Sequence, residues 1–172
     1  MTGKRILIVS VLALALIGIF LVSPNWAAVG VGDKAPDFQL GSVDGKSTIK
    51  LTDYTSKPTV LVFWVSWCPH CRTELPVMQK IYTDLQSKGL NVVGVTADQS
   101  AKDAMSAMTS SNVTFPVALG GTKEGQAVFN NYGIKGVPAV YVIDKDGTIK
   151  NVHSGEVDEA TIKNEVANLG IK

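Results

Sequence analysis

Cys68 and Cys71 are the only cysteines in the 172-residue chain, and they stand three positions apart in Trp67-Cys68-Pro69-His70-Cys71. Two thiols at this spacing can be joined as a disulfide or held as a dithiol, so the chemistry open to them is exchange of two electrons with another thiol-disulfide couple. The pair lies between the most strand-like run of the chain, Thr59 to Val65, and a stretch with helical apolar spacing. A cysteine at the start of a helix meets unpaired backbone N–H groups and the positive end of the macrodipole, and both favour thiolate over thiol. Cys68 is therefore the expected nucleophile, its sulfur exposed and ionised near neutral pH. Cys71, about one turn on and on the same side, is expected to be more buried and to resolve a mixed disulfide. His70 can carry positive charge or donate a hydrogen bond beside the thiolate, and Pro69 sets the backbone at the helix entrance.

Other uses of these residues weigh less. As a purely structural bridge the pair would close a four-residue ring, which removes little chain entropy. A structural zinc site needs four ligands, and beyond the cysteines the chain has only His70 and His153, at spacings of no usual finger or ribbon. No metal or organic cofactor is expected. His153 reads as a surface residue at a strand end and Trp64 as a packing residue; Trp67, next to Cys68, could line a partner-binding surface.

The elements that must position the cysteines follow from periodicity. Thr59 to Val65 is a continuous β-branched and aromatic run, as expected of a strand covered on both faces. Leu75, Met78, Ile81, Tyr82 and Leu85 then recur at helical spacing up to Gly89, with Pro76 inside the pattern as an expected kink. Before them, Phe38 to Leu40 and Thr48 to Leu51 flank an Asp44-Gly45 turn, a hairpin signal. After them come a strand at Asn91 to Thr96 and a helix with Ser100 as its N-cap and Ala101, Ala104, Met105 and Met108 on one face. A short strand at Phe115 to Leu119 precedes an apolar helical patch of Val128, Phe129 and Tyr132 ended by Gly133. Ala139 to Ile143 and Thr148 to Val152 surround the turn Asp144 to Gly147, and Ile162, Val166 and Leu169 give a closing helix with Asp158 near its start. The order predicts an α/β fold: a mixed central sheet with helices on both faces, an N-terminal β-hairpin extension and a central strand-helix insertion.

Ile6 to Val22 carries no charge and follows Lys4 and Arg5. It suits a membrane anchor better than a cleaved signal, because it is longer than a signal core and no small-x-small site follows it closely. The basic flank keeps the N-terminus inside, so residues 1–28 are expected to anchor a single domain, 29–172, on the outer side of the cell membrane, with Trp26 near the interface. Were the segment cleaved, the domain would still be exported, to where disulfides persist. Ser23 to Lys34, with Pro24, Gly30 and Gly32, reads as a linker or an entry loop. The formal net charge is +1, and −1 without Lys4 and Arg5, which leaves no electrostatic case for nucleic-acid binding.

Three motifs together resemble the thioredoxin superfamily, and within it the TlpA/ResA-like branch of exported, often membrane-anchored thiol-disulfide oxidoreductases. They are Gly32-Asp33-Lys34-Ala35-Pro36-Asp37-Phe38 before the hairpin, Phe63 to Arg72 around the cysteines, and Gly136-Val137-Pro138 before the AVYVI strand. The resemblance implies a thioredoxin-like fold over nearly all of Ala35 to Lys172. It also implies a cis peptide bond before Pro138 beside the cysteines, and Val137 backbone groups open to an extended substrate. Thioredoxins carry a buried Asp on the strand leading to the motif; the matching position here is Val62. Glu74 matches a Glu that follows the motif in ResA-like proteins, which implies proton transfer to or from the cysteines; otherwise it reads as a solvated first-turn residue favoured by the helix dipole. The Pro-His dipeptide, by contrast, is similar to that of DsbA-type oxidants, and Val137 before Pro138 points the same way, which leaves the direction of electron flow open.

The expected activity is therefore dithiol-disulfide exchange with exported protein thiols or disulfides, coupled to a membrane thiol-disulfide electron donor or acceptor, in a monomer. One direction reduces apocytochrome c before haem attachment and the other introduces disulfides. The alternatives are a peroxiredoxin-like peroxidase, whose P-x-x-x-T-x-x-C setting is missing before Cys68, and a tethered redox sensor or binding domain without turnover.

Overall fold

The computed structural model describes residues 28–172; the expected membrane segment and Trp26 lie outside them. Among the described residues no helix is long and apolar enough to cross a membrane.

The chain first forms a hairpin from β1, Gln39–Gly41, and β2, Thr48–Lys50, a two-stranded sheet of its own. Its turn uses Gly45 at φ 68°, a left-handed conformation that only glycine adopts freely. The run read as a core strand is β3, Thr59–Trp64, buried at every residue. Helix α1, Pro69–Leu85, follows it and passes through Pro76; one further short turn leads to Gly89, which is left-handed at φ 98°. Strand β4, Asn91–Thr96, helix α2, Ala101–Ser110, and strand β5, Val117–Leu119, complete two parallel crossovers. Helix α3, Lys123–Asn131, then leads to the hairpin of β6, Ala139–Ile143, and β7, Ile149–Ser154, and α4, Glu159–Asn168, closes the chain. Three helices begin on side-chain caps: Ser100, Thr122 and Asp158 accept from the N–H groups of Asp103, Gly125 and Thr161.

The five-stranded sheet runs β5-β4-β3-β6-β7, with β3 central, parallel to β4 and antiparallel to β6. Alternation along β3 divides two apolar layers. Val60, Val62 and Trp64 face α1 and α4, meeting Leu75, Met78 and Ile162. Leu61 and Phe63 face the other way, toward Phe129 and Tyr132 of the α3 region and Leu40 and Ile49 of the hairpin. Gly94 on β4 makes room for the Trp64 indole, since a Cβ there would lie 3.1 Å from Nε1. The α/β class, mixed sheet, helices on both faces, hairpin extension and strand-helix insertion are those expected.

One detail differs. Met105 is 42% exposed while Ala104 is fully buried, because the inward face of α2 runs through Ala101, Ala104 and Met108 and leaves Met105 at its edge. Of the two readings of the stretch before Ala35, the structure shows the entry loop for Gly32 and Asp33. Gly32 N donates to Ile149 O at 2.8 Å and Ile149 N to Asp33 O at 2.9 Å, so these residues bond to β7 before the hairpin starts.

Candidate active site

Strand β3 ends one loop short of the cysteines, and a buried carboxylate holds that loop. Asp98, just after β4, accepts from Ser66 N at 3.0 Å, Ser66 Oγ at 2.7 Å and Thr96 Oγ1 at 2.5 Å. Arg72 Nε donates back to Ser66 O at 2.9 Å. The position from which Cys68 departs is thus held from the sheet and from the helix.

Cys68 is the N-cap residue of α1, in extended conformation, with Pro69 as the first helical residue, where a missing N–H costs nothing. Both thiols are free. Cys71 is fully buried, whereas Cys68 is 7% exposed. The ordering is the expected one, but the prediction of an exposed Cys68 sulfur is corrected: Cys68 packs with Val62 and Cys71 in one apolar layer, and its Sγ lies 3.6 Å from Val137 O. The exposed neighbour is Trp67, at 74%. The Val137-Pro138 bond is cis, with Pro138 buried and Val137 half-buried at the start of β6.

Burial pushes the Cys71 thiol up to about 12, with the Cys68 sulfur and the Glu74 charge adding to the shift. Glu74 is 2% exposed, which overturns its reading as a solvated first-turn residue. Its Oε2 accepts Val157 N at 3.1 Å, while Oε1 has no partner among the described residues. Burial raises the carboxyl from 4.5 to about 7; Glu156 pushes it further up, and the Val157 N–H and His153 pull it down. A buried acid that titrates near neutrality, one helical turn from a thiol that resists ionisation, can take that thiol's proton and return it.

His70 points away from the core and is bonded to Glu156, Nδ1 to Oε1 at 2.5 Å, across the loop between β7 and α4. His153 is half-buried rather than fully at the surface, with Nε2 3.0 Å from both Glu165 oxygens. Among the described residues no group of three or more His, Cys, Asp and Glu side chains is placed to hold a metal ion. A cleft of about 530 Å3 opens beside Trp67, between Arg72 and Pro76 of α1 and Ser106 and Ser110 of α2, with Asp98 and Ser66 at its base.

The structure therefore brings Trp67, Cys68, Pro69, His70, Cys71, Glu74, Val137 and Pro138 to one end of the sheet. Sequence reading missed Asp98 and Glu156. A polar residue just past a parallel strand's C-terminal end was a usable sign for Asp98. Glu156, 86 positions from His70, carried none.

The AhpC/TSA family matches residues 31–152, and the chain belongs to it. It is 32% identical over 142 residues to the thiol-disulfide oxidoreductase ResA of Geobacillus thermodenitrificans (strain NG80-2), covering 83% of this chain and 79% of that protein. A crystal structure of a thioredoxin-family thiol:disulfide interchange protein from Chlorobium tepidum TLS superposes with TM-score 0.71 and 29% identity, over 83% of this chain and 99% of that one. A thiol:disulfide interchange protein from Bacteroides sp. shares the fold at TM-score 0.74 and 23% identity, over 84% and 93% of the two chains. The protein is a thiol-disulfide oxidoreductase of the ResA type with a thioredoxin-like fold.

Proposed function

We propose that Cys68 and Cys71 are the exchanging pair and that the protein reduces disulfides of exported proteins. The Cys68 thiolate attacks one sulfur of a partner disulfide, forming a mixed disulfide and releasing one partner thiolate. Glu74 takes the proton of Cys71, whose thiolate attacks Cys68 Sγ. The second partner thiolate then leaves, so the partner gains two electrons and Cys68-Cys71 becomes the disulfide. A membrane thiol-disulfide donor restores the dithiol, and no metal or organic cofactor takes part. Trp67 and the Val137 carbonyl, on either side of Cys68, form the docking surface for an extended chain that pairs with backbone before cis-Pro138.

The observation that carries this reading is the placement of Cys68 at the N-cap of α1, 3.6 Å from the Val137 carbonyl, with the fully buried Cys71 and the buried Glu74 following one turn apart on the same helix. The resemblance to ResA-like proteins at Glu74 supports the reducing direction, with apocytochrome c as the substrate, and the apolar run Ile6 to Val22 supports a single-pass anchor that holds the domain outside. The reduction potential tests the direction: a value near thioredoxin's, about −270 mV, supports a reductant, and one near DsbA's, about −120 mV, overturns it. Trapping of a mixed disulfide by Cys71→Ala, and none by Cys68→Ala, tests the roles of the two thiols. Protection of the domain from external protease in intact spheroplasts would overturn the export assignment.

A further inference from the structure

His70 belongs to the Pro-His dipeptide, one of two features of the site that lean toward an oxidant. A cation beside the Cys68 thiolate stabilises the reduced form and raises the potential. Here the cation is not alone. Glu156 sits 2.5 Å from His70 Nδ1, so a protonated His70 and Glu156 form a pair with no net charge. Both groups are at the surface, His70 73% and Glu156 41% exposed at the side chain. The next residue, Val157, is buried and gives its N–H to Glu74 Oε2. The loop that presents Glu156 is therefore fixed against α1 from below, and Glu156 cannot drift from the helix entrance without breaking that bond.

We infer that Glu156 is a positioning and charge-setting residue that cancels the influence of His70 on the Cys68-Cys71 couple, so that a Pro-His dipeptide serves in a reducing site. With the pair intact, the thiolate sees a dipole rather than a cation. Glu156 also pushes the Glu74 carboxyl up, behind the larger effect of burial, so its charge reaches the buried acid of the site as well. The inference rests on the reading of Cys68 and Cys71 as the exchanging pair.

The test is a double-mutant cycle on the full chain, with two readouts at pH 6: the alkylation rate of Cys68 by iodoacetamide and the equilibrium constant with glutathione. Glu156→Gln leaves a lone cation and is expected to raise the thiolate fraction or favour the reduced form by about three- to tenfold. A tenfold change in the equilibrium constant is ~30 mV. His70→Ala leaves a lone carboxylate and is expected to move the same readout the other way by a similar factor. His70→Ala with Glu156→Gln is expected to return it to within about twofold of the parent. A Glu156→Gln variant indistinguishable from the parent in both readouts, or a double variant that stays at the His70→Ala value, overturns the inference. Failure of the parent to form any Cys68-Cys71 disulfide with oxidised glutathione would instead defeat the exchange reading itself. Retained thermal stability in all three variants shows that the loop has not moved.

Discussion

Replacing Glu74 with Gln separates what its charge does from what its shape does. Gln keeps the acceptor for Val157 N–H and nearly the same volume, but it cannot ionise. In the unfolded chain a Glu titrates near 4.5, and here burial holds it near 7. The folded state thus binds more protons than the unfolded one between pH 4.5 and 7, so this group's contribution to stability is fully present below 4.5 and is lost as pH rises through 7. At 1.36 kcal/mol per pH unit the loss totals about 3 kcal/mol. Urea unfolding under reducing conditions, compared between parent and Glu74→Gln from pH 4.5 to 8, is expected to show the variant gaining up to about 3 kcal/mol relative to the parent across that window. With a slope of about 2 kcal/mol/M, that is a midpoint shift of ~1.5 M. Function is expected to move the opposite way. With Cys71 at about 12, only about one molecule in 10^5 carries its thiolate at pH 7, so loss of the local base is expected to slow resolution of the mixed disulfide by about 10^2-fold. A stability difference that stays flat with pH, together with unchanged resolution kinetics, would refute the assignment of Glu74 as a buried, proton-exchanging acid.

Three further substitutions address the surroundings of the pair. Trp67→Ala removes a side chain that is 74% exposed, so stability is expected to stay within about 0.5 kcal/mol while kcat/KM for a protein disulfide falls about tenfold and that for a small disulfide does not; parallel assays on the two substrates check it. Asp98→Ala leaves Ser66 N, Ser66 Oγ and Thr96 Oγ1 without their acceptor, which is expected to cost about 2–4 kcal/mol in chemical unfolding, with Asp98→Asn costing less. Gly125→Ala places a Cβ 2.1 Å from Gly120 O, and a loss of about 3 kcal/mol, seen as a Tm lowered by ~10 °C, is expected in calorimetry.

The elements legible in the sequence are those whose signal is local. The buried run of β3 shows as unbroken Val, Leu, Phe and Trp, the hairpin turns as Asp-Gly, and the caps of α2 and α4 as Ser100 and Asp158. The cysteine pair was legible for the same reason, since strand, motif and helix are contiguous. What escaped was set by packing between distant segments. Burial of Cys68 depends on the Val137 carbonyl 69 positions away. The docking of Gly32 and Asp33 on β7 consists of backbone bonds, which carry no side-chain signature. Met105 was misplaced because helical periodicity gives a face about 100° wide and cannot say which edge of it the neighbours cover.

Glu74 shows how one change in the core alters where a proton can be stored. Thioredoxins, which the chain resembles, keep their buried acid on the strand that leads to the motif; here that position is Val62, fully buried in the layer that holds both cysteines. An aliphatic side chain there adds to the apolar layer around the dithiol, and burial is the main cause of the raised Cys71 thiol. Such a site needs its base elsewhere, and only a residue on the helix itself, one turn beyond Cys71, keeps register with the thiol whatever the sheet does. The helix position brings a further consequence. A strand Asp would answer only to the core, but Glu74 is bonded to the β7–α4 loop and feels Glu156 and His153 at its edge. The buried acid is thereby coupled to charges at the edge of the domain, Glu156 pushing its carboxyl up and His153 pulling it down.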